Sequence, residues 1–397
     1  MVEWKSIEDM GSFFGGLTGK TKEDFQKGNA KFITYMNVFA NSSLDINTTG
    51  VVKINQGEKQ NKIQKGDILF SGSSETPEEA GMSCVVTDDL EEDYYMNSFC
   101  FGLRLNNPEQ YNLHYLKHIL RSYNIRQAIS KTASGVTRFN ISKARFGKVQ
   151  IPIPSLSEQK RIVGILDTFT DSIENLKQQI AQRRKQYEHY REILLDLEGK
   201  PKEDIKKFGD YCVMIKGNGV QKTDFVDEGI GCIHYGQIYT HYGSFTYSTN
   251  KFVSKEVFEK AKKASKGDII MTDTSENVED ICKSVAYLGE DDIAVSNHAL
   301  IIKHEQNPKF LSYSTLTSSF FNQKRKVVFG VKVSGIKPDH LAQIQIYLPV
   351  IEEQNRIVSI LDTFEASISN LETQLEQRQK QYEYYRNKLL SFEKEEH

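Results

Sequence analysis

The sequence lacks the patterns that mark secreted, membrane-spanning or zinc-binding proteins. Its five cysteines show no CxxC spacing, which argues against disulfides and structural zinc and favours a reducing compartment. No stretch is long and apolar enough to span a bilayer, and MVEWKSIEDMG at the N-terminus has acidic residues where a signal peptide has an apolar core. We therefore expect a cytoplasmic protein with no membrane partner.

Catalytic motifs are also missing. None of the eight prolines is followed by another, so the Asn/Asp-Pro-Pro-aromatic motif of amino methyltransferases is absent. GGLTGKT at 15–21 resembles a phosphate-binding loop but has Phe14 where that motif needs glycine. His114 and His118 stand four residues apart without the glutamate of a zinc-protease helix. We predict no catalytic residues, no bound metal and no cofactor in this chain.

Acidic residues are absent from two long stretches, although the net charge of −2 decides nothing about partners. Residues 110–157 and 306–338 contain lysine and arginine but no aspartate or glutamate. One-signed runs are usually solvated surface, but this one recurs at the same place in both halves of the chain. The recurrence favours a phosphate-facing surface in each half.

A long amphipathic segment occurs twice, at 155–198 and 350–393, with about three aligned positions in five identical. Apolar residues recur every three or four positions, which predicts a coiled-coil seam interrupted by one arginine in each copy. Ser155 and Glu158 predict a capping box at the start of the first copy. The order of globular and helical parts predicts antiparallel pairing. The seam comprises Leu166, Phe169, Ile173, Leu176, Ile180, Arg183 and Tyr187, and then Leu361, Phe364, Ile368, Leu371, Leu375, Arg378 and Tyr382.

The globular parts repeat more loosely: KGDIL at 65–69 matches KGDII at 266–270, and ITYMNV at 33–38 matches IHYGQI at 233–238. Short apolar runs at 31–39, 50–54, 66–70, 82–86, 99–105 and 148–154 predict strands, and 113–130 predicts a helix. The fold class is therefore mixed α/β, a tandem repeat of two globular domains separated by two long helices in an antiparallel coiled coil. The predicted segments are 1–154, a first globular domain; 155–199, a first helix; 200–349, a second globular domain; and 350–397, a second helix.

These features resemble the DNA-specificity (S) subunit of type I restriction–modification systems over essentially the whole chain. The most specific part is a glycine-containing loop, an apolar strand ending in proline, then Glu-Gln and a helix. Pro154, Glu158 and Gln159 match this pattern in the first half, and Pro349, Glu353 and Gln354 match it in the second. GGLTGKTKEDF is similar to the family's Gly-Gly-Thr-Pro segment but lacks the proline.

The resemblance implies a non-catalytic subunit that binds double-stranded DNA through two target-recognition domains, each reading half of an asymmetric bipartite site. It implies two methyltransferase (M) subunits docked on the helices, with translocating restriction (R) subunits joining them. S-adenosylmethionine would then be bound by the M subunit, and ATP with its magnesium by the R subunit.

Candidate DNA contacts come from residue chemistry, because amides can read adenine and basic side chains bind phosphate. For each of them an ordinary turn or a phosphate contact remains an alternative to base readout. In the first half the candidates are Lys20, Lys22, Tyr35, Asn37, Ser73, Ser74, Thr76, Thr132, Ser134, Thr137, Arg138, Asn140, Lys143 and Arg145. In the second half they are Lys222, Tyr235, Gln237, Thr274, Ser275, Lys332, Ser334 and Lys337.

Two other functions remain open from the sequence. The chain could be a single-chain restriction or methylation enzyme that includes its own reader, which the missing methyltransferase motif disfavours. It could also be a coiled-coil adaptor with no DNA role, which the two acid-free segments disfavour.

Overall fold

Two long helices carry the repeated sequence. The computed structural model, which describes residues 2–330 and 334–393, places the first at Leu156–Leu195 and the second at Ile351–Leu389. The chain forms two compact units: unit 1 is Met1–Lys177 with Thr373–His397, and unit 2 is Gln178–Glu372. Each unit therefore combines one globular part with a segment of each long helix.

The start of each long helix is fixed by a fully buried glutamine. Gln159 Nε2 donates to the Pro154 carbonyl at 2.8 Å, and its Oε1 accepts from the backbone N–H of Asn112 at 2.8 Å. Gln354 repeats both bonds in unit 2, to the Pro349 carbonyl at 2.8 Å and from Asn307 N–H at 3.0 Å. The Glu-Gln motif thus ties each long helix to the globular part before it.

The predicted capping box forms only in part. Ser155 Oγ accepts from the backbone N–H of Glu158 at 3.4 Å. The Glu158 carboxylate does not return the bond, because it forms a bidentate pair with Arg161 at 2.7 and 2.8 Å. The reciprocal half of the prediction was therefore wrong.

Unit 1 contains two main sheets. One is antiparallel, in the order Gly11–Gly15, Cys100–Leu105, Ile68–Ser71 and Ser83–Val85. The other runs Thr49–Val52, Ala30–Ile33 and Tyr94–Met96, the last two strands being parallel. Glu3–Ser6 pairs with Gln150–Ile153. A small sheet joins Ala133–Ser134, Phe139–Ile141 and Ser73–Ser74. The shorter helices are Ile7–Met10, Tyr35–Ala40, Leu113–Ile119, Tyr123–Ser130 and Lys143–Gly147, with 3-10 turns at Lys22–Phe25 and Pro108–Gln110.

Unit 2 repeats this plan. One sheet is ordered Val213–Lys216, Ala299–Lys303, Ile269–Thr272, Ser284–Tyr287 and Phe245–Thr246. The other is ordered Phe225–Val226, Lys251–Val253, Ile230–Ile233, Ile293–Val295 and Lys262–Ala264. Ile205–Lys207 pairs with Gln345–Tyr347, and Thr274–Ser275 with Ser334–Gly335. The shorter helices are Tyr235–Thr240, Lys255–Lys260, Pro308–Ser314, Ser318–Val327 and Pro338–Leu341, with 3-10 turns at Lys202–Asp204, Phe208–Asp210 and Lys222–Asp224.

Two predicted elements differ from the structure. The run 31–39 was predicted as one strand, but the strand ends at Ile33 because Thr34 caps a helix, its side chain accepting from the backbone N–H of Asn37. The run 113–130 was predicted as one helix, but it breaks at Ser122. The backbone of Ser122 is extended and its hydroxyl donates to the Ile119 carbonyl at 2.7 Å.

Within each unit the helix segments pack through the same aromatic pair. In unit 1 the rings of Phe169 and Tyr385 stack at 5.2 Å. In unit 2 the equivalent rings of Phe364 and Tyr190 stack at 5.3 Å. The seam arginines stack on these phenylalanines, Arg378 on Phe169 at 5.6 Å and Arg183 on Phe364 at 5.8 Å.

The helix segments of unit 2 run antiparallel. Arg184 bonds Glu372 at 2.5 Å and Tyr187 bonds Glu365 at 3.1 Å, so an increase in number along one helix accompanies a decrease along the other. Every predicted seam residue is buried or half-buried.

Candidate nucleic-acid interface

Unit 1 has a cavity of about 500 Å³ where the helix Tyr35–Ala40 meets the strand Ser73–Ser74. The hairpin formed by Ala133–Ser134 and Phe139–Ile141 closes one side through pairing with Ser73–Ser74. Aromatic, hydroxyl, carboxylate and guanidinium groups share its wall. The lining residues are Tyr35, Met36, Phe39, Ser73, Ser74, Glu75, Glu79, Thr137 and Arg138.

Unit 2 has a cavity of about 510 Å³ at the equivalent place. Its helix is Tyr235–Thr240 and its strand is Thr274–Ser275, so the same two elements form the wall. The chemistry differs, because an amide and an imidazole are present. The lining residues are Tyr235, Tyr239, Thr274, Ser275, Glu276, Asn277, Asp280 and His298.

One tyrosine in each unit joins the helix to the strand. Tyr35 donates from its hydroxyl to the Ser73 carbonyl at 2.7 Å. Tyr239, one helical turn further along the equivalent helix, donates to the equivalent Thr274 carbonyl at 2.5 Å. Burial raises the pKa of both phenols, so both remain hydroxyl donors at neutral pH.

Arg138 is an exposed side chain at the rim of the first cavity. Its Nε donates to Ser73 Oγ at 3.1 Å, and its guanidinium lies 5.4 Å from the ring centroid of the exposed Phe99. In unit 2 the residue matching Phe99 is His298, whose ring lies 5.3 Å from that of Tyr235. Each cavity therefore has a second ring beside its helix.

The two predicted adenine-reading amides do not line the cavities. Asn37 is buried, and its Nδ2 donates to the carbonyls of Asp45 and Thr48 at 2.6 and 2.9 Å. Gln237 is buried, its Oε1 accepting from the backbone N–H of His234 and its Nε2 bonding Asn250. Both amides hold the turns beside their own helices, Tyr35–Ala40 and Tyr235–Thr240.

The remaining predicted residues divide between surface and interior. Thr76, Ser134, Asn140, Lys143, Arg145, Lys22, Lys222 and Lys337 are exposed. Thr132 is buried and its hydroxyl donates to the Ile129 carbonyl at 2.7 Å, while Ser334 is buried in the pairing with Ser275. Lys20 is turned inward onto Glu58, and its hydrogen bond is the main cause that lowers the pKa of that carboxyl to about 2. Lys332 lies outside the described residues.

Several cations of the acid-free segments face inward, against the interpretation that these segments present their charge to phosphate. Arg121 donates to the carbonyls of Ser83 and Asn41 at 2.6 and 2.7 Å, and burial lowers its pKa to about 10. Lys117 pairs with Asp167 at 2.8 Å, and Lys309 pairs with Asp362 at 2.8 Å. The acid-free pattern was correct as composition, but for these side chains the phosphate-facing interpretation was wrong.

Arg126 and Lys324 hold the loops that line the two cavities. Arg126 donates to the carbonyls of Glu78, Ala80 and Gly81 at 2.7, 2.7 and 2.6 Å. Lys324 donates to the carbonyls of Glu279 and Ile281, the residues matching Glu78 and Ala80, at 2.8 and 2.6 Å. A cation, half-buried in unit 1 and buried in unit 2, thus braces the same loop in each unit.

Sequence reasoning missed Phe39, Phe99, Glu79, Tyr239, Asp280 and His298. The sequence does hold a signal for the two carboxylates, because SSETPEEA at 73–80 is similar to TSENVEDI at 274–281 and this alignment pairs Glu79 with Asp280. The rings gave no such signal, since Phe99 and His298 follow strands with little sequence similarity. Among the described residues no cluster of side chains could hold a metal ion, and no helix is long and apolar enough to cross a bilayer.

Both halves of the sequence are similar to known proteins. The family described as "Type I restriction modification DNA specificity domain" matches residues 1–183 and again 204–380. A protein of Haemophilus influenzae named for the type I specificity subunit is 29% identical over 304 residues, 72% of this chain and 74% of its own length. The EcoR124I/EcoR124II specificity subunit of Escherichia coli is 29% identical over 273 residues, 63% of this chain and 64% of its own length.

Solved structures show the same fold. A chain from a study of assembly and conformational transition of the type I R-M system superposes with TM-score 0.62 at 15% identity, covering 98% of this chain and 97% of that one. The type I S subunit of M. genitalium gives TM-score 0.53 at 14% identity, covering 99% and 97%. Because the family matches both halves and most of the sequence, the chain belongs to the type I restriction–modification DNA-specificity family.

Proposed function

We propose that the chain reads a bipartite, asymmetric DNA site, one half with the recognition domain at 1–154 and the other with the domain at 200–349. The chain is a specificity subunit and not the catalytic component of its system. Double-stranded DNA is the substrate that its two cavities recognise.

The recurrence of one cavity with two different linings carries this proposal. Helix, strand and tyrosine-to-carbonyl bond are the same in both units, whereas Arg138 contributes to one wall, and Asn277 and His298 to the other. A repeated scaffold with diverged polar groups suits two readers of different short sequences, because base edges differ in their donors and acceptors.

The long helices supply the docking surface for two M subunits in this proposal. Each carries exposed aromatic side chains at equivalent positions, Tyr190 at 45% exposure and Tyr385 at 39%. Two helices with a repeated sequence present two similar surfaces, which suits two copies of one partner. R subunits join through that complex, and the partners bind S-adenosylmethionine, ATP and magnesium.

Selection from pooled random duplexes tests the proposal. The chain is co-expressed with the M subunit of its system, and the bound DNA is sequenced alongside the methylome of the host. We expect two short specified sequences separated by an unspecified spacer. Tyr35→Phe and Tyr239→Phe form a matched pair, each removing one hydroxyl that positions a cavity wall, and each should weaken selection in a different half-site. Unselected DNA, or both variants acting on the same half-site, would contradict the proposal.

A further inference from the structure

We infer that Arg138 is a specificity-determining residue that reads a guanine through the major groove. The inference rests on the proposed function and adds the identity of one base and the side chain that reads it. Three structural observations carry it: how Arg138 is placed, which of its donors its described contacts use, and which charges surround it.

The hairpin places Arg138 with little freedom. Phe139 pairs with Ser74 and Asn140 with Ser73, so the residue before them stands directly over the cavity wall. Gly135 has φ +154°, and a Cβ built there would lie 1.9 Å from the Arg138 carbonyl oxygen. Glycine is therefore required for the hairpin to close, and the close approach fixes the backbone of Arg138.

Among the residues that the structure describes, the guanidinium has two contacts, and neither uses the N–H groups of its two Nη nitrogens. Its Nε–H is used by Ser73 Oγ at 3.1 Å, and one face rests on Phe99 at 5.4 Å. In the planar guanidinium the two Nη nitrogens lie at the end of the side chain, beyond Nε, and their N–H groups form a paired donor edge. Guanine offers two adjacent acceptors in the major groove, N7 and O6, which this edge matches.

The charges nearby favour a neutral base edge over phosphate. Glu75 and Glu79 line the same cavity, so two carboxylates accompany the one guanidinium. Glu79 is held in the wall, because its Oε2 accepts from Ser74 Oγ at 3.0 Å. A phosphate would meet net negative charge here, whereas the rings of Tyr35 and Phe39 offer apolar surface to a base.

The second half of the sequence has no arginine to match Arg138. The strand pairings of Ser74 with Phe139 and of Ser275 with Ser334 align Arg138 with Val333, which lies outside the described residues. Valine has no side-chain donor, so this inference concerns the first half-site only.

The test uses the full chain with its M subunit and the site defined by the wild-type methylome. The first half-site should contain one guanine whose discrimination falls about 5- to 150-fold in Arg138→Gln and in Arg138→Val, the range expected when a bidentate hydrogen-bonded pair with a base is removed. Arg138→Lys keeps the charge but not the fork, and it should lose the same selectivity. Lys65→Gln removes one exposed charge from the same unit outside the cavity and outside the acid-free segment, and it should leave base selectivity unchanged.

Modified duplexes separate base contact from indirect effects. Replacing that guanine by 7-deazaguanine removes N7 and should weaken wild-type binding at least about fivefold, with little effect on Arg138→Gln. Hypoxanthine keeps N7 and O6 and should bind the wild type as guanine does. Selective methylation of the other half-site by Arg138→Gln shows that the variant is folded.

Each alternative outcome has a defined meaning. Equal 7-deazaguanine penalties in wild type and Arg138→Gln, or a reduced salt slope with unchanged base preference, would overturn the guanine assignment and leave the proposed function intact. A wild-type complex that methylates without sequence preference would overturn the proposed function and this inference with it.

Discussion

His118 Nε2 lies 2.8 Å from Asp167 Oδ1, which bonds the globular part of unit 1 to the first long helix. On its other side, His118 Nδ1 lies 2.9 Å from the Tyr382 hydroxyl of the second long helix. The neutral imidazole satisfies both contacts when Nε2 donates to Asp167 and Nδ1 accepts from Tyr382. Unit 2 has Tyr313 in the matching position, donating to Asp362 at 2.8 Å, so only unit 1 uses a group that titrates near neutrality.

This difference predicts that lowering the pH destabilises unit 1 before it destabilises unit 2. Burial lowers the pKa of His118 below 6.5, and hydrogen bonds from His118 and Lys117 outweigh burial to lower the pKa of Asp167 to about 2. Below pH 6.5 the histidine is protonated in the unfolded chain but stays neutral in the folded one. The free energy of unfolding therefore decreases as the pH is lowered through that window. Asp167 adds a further loss of about 2 kcal/mol between pH 3.8 and about 2.

The measurement is the unfolding of unit 1 between pH 7.5 and 5, followed through the fluorescence of Trp4, the single tryptophan, which lies in that unit. His118→Gln keeps a donor for Asp167 but does not titrate, so its stability should change less over this range. Parallel pH curves for the wild type and His118→Gln would show that the histidine is not the cause.

The hydrogen bonds from Arg126 to the loop at 75–81 predict that this loop becomes less ordered when the arginine is removed. Arg126→Met should expose the carbonyls of Glu78, Ala80 and Gly81 to an apolar neighbour and destabilise unit 1 by about 2–3 kcal/mol. Amide hydrogen exchange of residues 75–81 should rise in this variant, while residues 276–282 stay protected. Lys324→Met should instead raise the exchange of residues 276–282 and leave residues 75–81 protected. Arg126→Lys is the control, because a lysine already holds this loop in unit 2.

How far the sequence predicted the site depends on the kind of signal each residue gave. The Glu-Gln motif recurred at the same offset as the long helix, and the structure gives Gln159 and Gln354 the same pair of bonds. Charge composition does not show whether a basic side chain points to solvent or to the interior. Arg121 and Arg126 could therefore not be distinguished from solvent-facing cations until the fold placed backbone carbonyls around them. Asn37 was an amide beside a tyrosine in sequence, but a helix cap at Thr34 turns it into the interior. Such reversals depend on local caps and tertiary contacts that composition does not encode.

The cations that remain exposed predict the salt dependence of DNA binding. Lys143, Arg145 and Lys148 lie on the surface of unit 1. Neutralising all three to glutamine should lower the log–log salt slope by about 0.9 for each phosphate that the variant no longer neutralises. Lys65→Gln is the control, because that exposed lysine pairs with Asp89 at 2.7 Å outside the acid-free segment. An unchanged slope in the triple variant would mean that this surface does not face DNA.

The aromatic pairs of the two units predict how half of the chain behaves alone. Phe169 stacks on Tyr385 in unit 1, and Tyr190 stacks on Phe364 in unit 2. These are one contact with its partners exchanged, since Phe169 matches Phe364 and Tyr190 matches Tyr385 in the repeat. A fragment of residues 1–200 therefore carries both members of the pair on one helix, and two copies should form both contacts by antiparallel association.

We expect a dimer at micromolar concentration by sedimentation, and we expect fragment 1–154 to be monomeric. Phe169→Ala with Tyr190→Ala should raise the dimer dissociation constant at least about tenfold, because two stacked pairs are removed. With the M subunit, the wild-type fragment should methylate an inverted repeat of the first half-site, because identical readers related by a two-fold axis select identical sequences. A monomeric 1–200 fragment would show that the repeated seam does not drive pairing.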